Sequence, residues 1–335
     1  MKGQAKMRIA ITGEKGFIAS NLSNKINKFS HEFVSLDESK YSEGYETTES
    51  GEVCVYSNSI EKWSQLLSDL DVDVIIHNAA VVGTDVVALN PEHAISTNVL
   101  GTHIITEAAN NTNTKIVYIG TTVIYDTYLY QENEIYENST IYPRTNYAVQ
   151  KYSGEMTVKN NAKSWLVVRP LFAYGGEGDM NSLISKSLFC IHNNINNLDM
   201  FLNPGKIKDY MHVEDFCSSV MDLIVNDISY EDFNITAENP HNTLEIVSLI
   251  EEVTGKSLES VIKWHPETDY LGNHRLSNDK FLDVIGKSRS RSLKEGIRQS
   301  WESIKEMDKL NKFNPLKHLT EAKDKNIDLK MFFPK

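Results

Sequence analysis

Short runs of apolar residues alternate along the chain with longer segments in which apolar residues recur every three or four positions. The runs are rich in β-branched side chains, which is typical of strands buried on both faces of a parallel sheet. The segments between them are long enough to form crossover helices. The pattern therefore predicts an α/β fold with a doubly wound parallel sheet. The predicted strands are Met7–Thr12, Phe33–Leu36, Val53–Tyr56, Asp73–His77, Lys115–Gly120 and Trp165–Pro170.

The chain has 335 residues, which suits one large α/β domain or two unequal lobes. We expect residues 1–169 to form a Rossmann-type NAD-binding domain. A strand near 232–236 is expected to return to the sheet of this domain. Residues 170–307 are less regular and are predicted to form a smaller C-terminal substrate-binding lobe. A helical pattern over Ser292–Met307 precedes the charged tail 308–335.

The first predicted strand runs into the sequence TGEKGFIAS, where Gly13 and Gly16 precede a helical pattern. Such a turn lets the backbone approach a dinucleotide pyrophosphate, and its third position, here Ala19, needs a small residue for helix–strand packing. The glycine spacing alone also fits an ordinary turn at the start of a helix. The order of strand, glycine turn and helix favours a phosphate-binding turn.

Asp37 lies 24 residues after Gly13, at the end of the second predicted strand. A carboxylate at this place accepts hydrogen bonds from the ribose hydroxyls and repels a 2′-phosphate, so we expect NAD rather than NADP. Lys15, inside the turn, leaves NADP open because its ammonium could reach a 2′-phosphate.

Tyr147 and Lys151 lie four positions apart in YPRTNYAVQK, a spacing that puts both on one face of a helix. A phenol titrates near pH ~10, so a neighbouring ammonium is a direct way to make tyrosine a usable general base. Thr121 and Thr122 follow a predicted strand at the carboxyl edge of the sheet, where doubly wound folds bind ligands. A hydroxyl there can bond a substrate oxygen, although Thr122 also fits an ordinary turn.

These stretches together resemble the extended short-chain dehydrogenases/reductases, in the NAD-dependent nucleotide-sugar epimerase/dehydratase branch. The resemblance covers about residues 7–285 and rests on TGEKGFIAS, HNAA, NPEHAISTNVLGT, YIGTTVIY, YPRTNYAVQK, VVRPLFAYG and KDYMHVEDF. It implies NAD as the cofactor and a nucleotide sugar as the substrate. It also implies a homodimer built from the helices after Asn98 and around Tyr147.

The resemblance also assigns roles to single residues. Tyr147 would be the acid/base, Lys151 would position the nicotinamide ribose and lower the tyrosine pKa, and Thr121 would be their hydroxyl partner. Asn98 would hold the kink of the active-site helix and a proton relay, whereas His77 is expected to pack rather than to catalyse. The implied cofactor contacts are Gly13, Gly16, Phe17, Ile18, Asp37, Ala79, Ala80 and Lys151, and the implied substrate contacts are Thr122, Lys208 and Arg275.

The chain departs from the pattern of the family at three places. Phe172 stands where the family commonly has an asparagine that contacts the substrate diphosphate. Lys208 replaces the usual arginine; its ammonium supplies a positive charge but cannot form the two parallel hydrogen bonds of a guanidinium. Thr122 and Val123 stand where 4,6-dehydratases of the family carry an Asp-Glu pair, so dehydration is disfavoured. Val123 also replaces the cysteine of 3,5-epimerising members.

We therefore predict an NAD-dependent epimerase that acts at C4 of a nucleotide-linked sugar through a 4-keto intermediate. One alternative is an NAD(P)H-dependent 4-ketosugar reductase or dehydrogenase. Another is a non-catalytic dinucleotide sensor on the same fold. Such sensors typically lose the tyrosine or the lysine, and this chain has both Tyr147 and Lys151.

Composition and charge limit the classes of partner that we expect and indicate the cell compartment. A formal net charge of −12 opposes binding of nucleic acid or anionic membranes, which need a basic face. Cys54, Cys190 and Cys217 lie far apart, which predicts neither a disulfide framework nor a zinc site, and we expect no metal. The N-terminal sequence lacks the apolar core of a signal peptide, and no run of some ~18 apolar residues follows, so we expect a cytoplasmic protein without a membrane partner.

Overall fold

The computed structural model describes residues 6–36, 45–47, 53–55, 59–130, 133–175, 182–266 and 271–308. The strands are β1 Arg8–Thr12, β2 Glu32–Val34, β3 Tyr45–Thr47, β4 Val53–Val55, β5 Val74–His77, β6 Lys115–Ile119, β7 Trp165–Pro170, β8 Ala173–Tyr174, β9 Leu198–Met200, β10 Ile207–Lys208, β11 Met211–His212, β12 Glu231–Ile235, β13 His241–Asn242 and β14 Ile262–Trp264.

The helices are α1 Phe17–Lys28, α2 Ile60–Asp69, α3 Thr84–Leu89, α4 Pro91–Ile95, α5 Thr102–Thr112, α6 Asn146–Asn161, α7 Leu183–His192, α8 Val213–Val225, α9 Thr243–Thr254, α10 Asp279–Ile285 and α11 Leu293–Asp308. A π-helical segment, Ser96–Gly101, joins α4 to α5. A short 3-10 helix, Thr122–Ile124, follows β6.

Six parallel strands form the central sheet in the order β12-β7-β6-β5-β1-β2. Successive side chains of β1 point to opposite faces: Ile9 and Ile11 pack in the layer with α1 and α8, and Ala10 packs in the layer with α2 and α5. Both faces of the sheet are therefore covered by helices. The predicted α/β fold with a doubly wound parallel sheet is confirmed.

The predicted strand around Val53 does not belong to this sheet. It forms β4, which pairs antiparallel with β3 in a separate two-stranded sheet. The prediction that this run joins the parallel sheet is wrong. The run is short, and the polar residues and the glycine that separate it from β3 favour a hairpin between the two. The sixth place in the central sheet belongs to β12, which pairs parallel with β7.

A second hydrophobic core lies in the chain after β7. It is formed mainly by α7, α9 and α11, with Leu188, Ile246 and Ile297 fully buried, and it includes residues of the paired strands β9 and β14. The division into an NAD-binding domain and a substrate-binding lobe at residue 170 stays a prediction. Most of the tail 308–335 lies outside the described residues.

A buried ion pair joins the central sheet to α6. Arg169, near the end of β7, is 1% exposed, and its guanidinium donates hydrogen bonds of 2.9 and 2.6 Å to the Glu155 carboxylate on α6. It also donates to the Tyr125 hydroxyl at 2.7 Å and contacts Asp232 on β12. Since Glu155 is also 1% exposed and its other cation, Lys159, lies 4.0 Å away, Arg169 is the main compensation for this buried carboxylate.

Replacing Arg169 with methionine (Arg169→Met) should lower the free energy of unfolding by about 3–5 kcal/mol, because Glu155 would stay buried without its partner. Denaturant unfolding measures the loss. Arg298→Met is the matched control: it breaks an exposed pair with Glu295 and should leave stability close to that of the wild type. A loss in Arg169→Met no larger than in this control would contradict the prediction.

Candidate active site

The glycine turn lies between β1 and α1, as the sequence predicts. Gly13 has a left-handed backbone with φ of 66°, and Gly16 caps the helix, its N–H donating to the Gly13 carbonyl at 2.9 Å. A Cβ atom on Gly13 would lie 2.9 Å from the Cα atom of Ala79. The first position of the turn therefore requires glycine, both for its backbone conformation and for its closeness to the loop after β5.

The start of α1 is suited to an anion. No side chain caps it and no acidic residue lies in its first turn, so the N–H groups at Phe17 and Ile18 face no competing carboxylate there. Together with the bare backbone at Gly13 and Gly16, this fits the pyrophosphate of NAD. Asp37, the acid expected on the ribose, lies outside the described residues.

The loop after β5 is held against the turn by buried hydroxyls. The Thr12 hydroxyl oxygen accepts hydrogen bonds from the N–H groups of Asn78 and Ala79, at 3.2 and 3.1 Å, and pairs with His77 Nδ1 at 2.8 Å. The other ring nitrogen of His77 pairs with the Thr102 hydroxyl at 3.0 Å, and burial lowers the pKa of His77 to about 3. His77 is thus a neutral, buried residue that pairs with Thr12, whose hydroxyl in turn holds the Asn78 and Ala79 N–H groups.

Helix α6 carries the predicted acid/base pair. The Thr145 hydroxyl caps the helix by accepting from the Ala148 N–H at 3.1 Å. Lys151 is 4% exposed, with its ammonium nitrogen 4.2 Å from the centroid of the Tyr118 ring. Burial lowers the pKa of Lys151 to about 7, whereas the negative charge of Glu155 acts in the opposite direction. Lys151 is therefore only partly protonated at neutral pH.

Tyr147 and Thr121 meet through their side chains. Thr121 directly follows the strand β6 and its Gly120, and its hydroxyl lies close enough to the Tyr147 phenol to influence the pKa of that group. Burial raises the pKa of Tyr147 to about 12, and the Thr121 hydroxyl only partly opposes that rise. The expected lowering of the tyrosine pKa by Lys151 is thus not found, because burial disfavours the charged forms of both groups.

Asn98 lies within the π-helical segment and is 1% exposed. Its amide oxygen accepts from the Val81 N–H at 2.8 Å, and its amide nitrogen donates to the Val81 carbonyl at 3.0 Å and to Gln150 Oε1 at 2.9 Å. These bonds connect a distorted helix, the loop after β5 and α6. Sequence reasoning missed Gln150; its signal was a polar residue between Tyr147 and Lys151 on one helix.

The three predicted substrate contacts lie in different environments. Thr122 is buried, and its hydroxyl donates to the Pro170 carbonyl at 3.3 Å. Lys208 is 1% exposed, and its ammonium donates to the carbonyls of Leu271 and Gly272, at 3.3 and 3.2 Å. Arg275 is exposed. The contacts of the described residues do not join Lys208 or Arg275 to Tyr147, so their role at a diphosphate stays a prediction.

Phe172, which stands at the family's asparagine position, packs beside Lys208. Its ring centroid lies 5.4 Å from that of Tyr210 and 5.1 Å from that of His274, and the Lys208 nitrogen is 5.8 Å from the Phe172 ring. The side chain thus fills space with apolar contacts. It offers no amide for a phosphate.

The described residues also bear on metal binding, membrane insertion and thiol pairing. No group of three or more His, Cys, Asp or Glu side chains among them is placed to hold a metal ion. No helix among the described residues has both the length and the apolar composition needed to cross a bilayer. Cys190 and Cys217 are buried free thiols.

The parallel sheet, the glycine turn and the Tyr147–Lys151 pair on one helix define a Rossmann-type fold built for dinucleotide-dependent chemistry. Residues 9–236 match the NAD dependent epimerase/dehydratase family, and the chain belongs to that family. The resemblance found in the sequence motifs and the expectation of NAD as cofactor are both confirmed.

Relatives in this family differ in their reactions. The chain is 22% identical to a dTDP-glucose 4,6-dehydratase of Mycobacterium tuberculosis, over 95% of this chain and 98% of that protein. It is also 22% identical to a trifunctional UDP-glucose 4,6-dehydratase/UDP-4-keto-6-deoxy-D-glucose 3,5-epimerase/UDP-4-keto-L-rhamnose-reductase of Arabidopsis thaliana, over 88% of this chain but only 46% of that longer protein.

Among solved structures, the UDP-glucose 4-epimerase of Thermotoga maritima, with UDP-glucose, is similar with a TM-score of 0.75 and 19% identity. The similarity covers 90% of this chain and 99% of that one. At this identity the likeness shows the fold.

Gly13→Ala should lower stability and weaken NAD binding. Its control is Gly255→Ala at the end of α9, where φ is 69° but nothing lies within 4 Å of an added Cβ. Both variants should lose about 1 kcal/mol from the left-handed backbone. Gly13→Ala should lose more because its methyl group would press on Ala79. Denaturant unfolding and titration calorimetry with NAD measure the two effects; equal losses with unchanged NAD affinity would refute this account of the turn.

The lowered pKa of Lys151 predicts a pH-dependent stability. Between its folded pKa of about 7 and its ordinary value of 10.5, the unfolded chain binds the lysine proton and the folded chain does not, so stability rises with pH across this window. The free energy of unfolding of the wild type, minus that of Lys151→Met, should rise by on the order of 1 kcal/mol per pH unit there. The exposed-site control Lys263→Met should give no such slope. A flat or falling difference for Lys151→Met would show that the lysine is not desolvated.

Proposed function

We propose that this protein is an NAD-dependent epimerase that inverts C4 of a nucleotide-linked sugar through a 4-keto intermediate. The observation that carries the proposal is the placement of the half-buried Tyr147 beside Thr121, at the carboxyl end of β6, with the buried Lys151 one turn further along the same helix. NAD, when bound, would accept hydrogen with its electron pair from C4 and return it to the opposite face of the ketone.

The residues of the chain would handle the proton of the C4 hydroxyl. Tyr147 lies beside Thr121, and a substrate hydroxyl bonded by both would transfer its proton to the phenolic oxygen of the deprotonated tyrosine. Because burial raises the pKa of Tyr147 to about 12, the phenol holds its proton at neutral pH and must lose that proton before it can act as the base. Lys151, four positions later on the same helix, is the proposed group that stabilises the phenolate once NAD and the substrate are bound. Reduction of the ketone reverses these transfers.

Dehydration has little support at this site, although several relatives carry that activity in their names. Elimination of water needs an acid and a base beside the sugar, and Thr122 and Val123 supply neither. The Thr122 hydroxyl donates its hydrogen bond to the Pro170 carbonyl. The nearby carboxylate of Asp126 is paired with Arg144 at 2.9 Å. The site therefore favours simple oxidation and reduction at C4.

A 4-ketosugar reductase or dehydrogenase is the second candidate, because the same three side chains would serve it and the Arabidopsis relative includes a reductase activity in its name. A reductase would consume NADH or NADPH in proportion to its product. A non-catalytic sensor is less supported, since Tyr147 and Lys151 are both present and lie one turn apart on α6.

We also propose a homodimer. Two apolar side chains on the helical segments named by the resemblance are exposed, Leu100 (44%) and Val149 (49%), and Ile95 (52%), at the end of α4, is exposed just before them. Pairing of two such faces would cover them. Light scattering should return about twice the chain mass of 38.0 kDa, and a value near one chain at micromolar concentration would exclude the dimer. The buried free thiols agree with a cytoplasmic location, which is part of the proposal.

Tyr147→Phe removes only the phenolic oxygen and should lower turnover by roughly 10²- to 10⁴-fold while leaving NAD affinity unchanged. The assay incubates a panel of nucleotide sugars with the protein and resolves the products by chromatography. Tyr230→Phe is the control, because its hydroxyl bonds the Lys163 carbonyl at the other end of the strands, and it should keep full turnover. Full activity in Tyr147→Phe would remove the proposed mechanism.

A further inference from the structure

Glu14, which the proposed function does not use, connects the glycine turn to the end of β2. Its carboxylate accepts a hydrogen bond from the Ser35 hydroxyl at 2.8 Å and another from the Leu36 N–H at 2.9 Å. Each carboxylate oxygen takes one of these bonds, and both donors come directly after the last residue of the strand. The negative charge is therefore held at one place, at the carboxyl end of β2.

This place matters because of where a Rossmann-type fold binds the adenosine of its cofactor. The pyrophosphate lies at the start of the first helix, and the adenosine ribose lies at the carboxyl end of the second strand. The start of α1 carries no acidic side chain. Glu14 instead places its charge beside Ser35 and Leu36, immediately before Asp37 in the chain. The position expected for the pyrophosphate thus stays free of negative charge, whereas the position expected for the ribose lies beside the Glu14 carboxylate.

We propose that Glu14 is a specificity-determining residue that selects NAD against NADP; this rests on the NAD-dependent function proposed above. An anchored carboxylate repels the roughly two negative charges of a 2′-phosphate. The ribose hydroxyl of NAD, in contrast, is a hydrogen-bond donor that a carboxylate oxygen with a second lone pair can accept. The adjacent Lys15 has the opposite charge, and the proposal requires that the anchored acid outweighs it.

The test compares the binding of NAD and NADP to purified wild type, Glu14→Gln and Glu14→Ala by titration calorimetry. Glu14→Gln keeps the size of the side chain and removes its charge. The matched control is Glu259→Gln, which removes one charge at an exposed position in the C-terminal part of the chain. We expect both Glu14 variants to bind NADP about tenfold more tightly or better. NAD should bind no more tightly than it does to the wild type, because a charged acceptor of the ribose hydroxyl is lost, and the control should match the wild type.

Several outcomes separate this inference from the function on which it rests. Wild type that binds neither dinucleotide would overturn the proposed function and the inference with it. Wild type that prefers NAD, with Glu14 variants of unchanged preference, would overturn the role of Glu14 alone. Equal weakening of NAD and NADP binding in the Glu14 variants would also overturn it, because Glu14 would then only stabilise the conformation of the turn.

A second measurement needs no variant at position 14. Charge repulsion is screened by salt, so the preference of the wild type for NAD over NADP should shrink when ionic strength is raised from about 0.05 to about 0.5 M. A preference independent of salt would contradict selection by a fixed charge.

Discussion

The catalytic geometry depends on one buried ion pair, that of Arg169 with Glu155. Glu155 lies one helical turn after Lys151 and two turns after Tyr147 on α6, so its bonds to β7 fix how this helix rests on the sheet. The pair also faces the end of β6. A Cβ atom on Gly120 would lie 3.2 Å from Arg169 Cγ and 3.4 Å from Glu155 Oε2. Thr121, the next residue, is therefore positioned relative to α6 by charges that have no access to water.

The opposite wall of the site is held by neutral groups. Thr12 bonds the loop after β5 to the end of β1, and Asn98 bonds the same loop to the π-helical segment and to α6. These side chains use their polar atoms on backbone and on Gln150. The reactive groups differ from them, since burial moves the pKa of Tyr147 up and that of Lys151 down. Burial thus disfavours the charged form of each group.

Local patterns predicted most of the fold and the elements that carry the residues proposed for the site. The apolar runs of the central sheet, the turn at Gly13 and Gly16, and the helix that carries Tyr147 and Lys151 all depend on residues close in sequence. The hairpin at Val53 could not be predicted in the same way, because a short apolar run is compatible with more than one partner strand.

Contacts between residues that are far apart in the chain could not be predicted from local sequence patterns. Lys208 was expected at a diphosphate, yet its ammonium is bonded by the carbonyls of residues more than sixty positions away. The anchoring of Glu14 joins residues 21 and 22 positions apart. The raised pKa of Tyr147 likewise results from burial, which only the packed structure determines. Burial and long-range pairing decide the charge state of a site, and the motif alone does not.

The most direct test of the account follows the hydrogen at C4. A nucleotide sugar that the protein converts, labelled with deuterium at C4, is incubated with the protein and its copurified NAD, and the product is analysed by NMR and mass spectrometry. The account predicts the C4 epimer with the deuterium retained at C4 and no net change in the cofactor. Deuterium accumulating in reduced cofactor, or a product formed only while NADH or NADPH is consumed, would contradict epimerisation and assign the protein to the dehydrogenases or reductases.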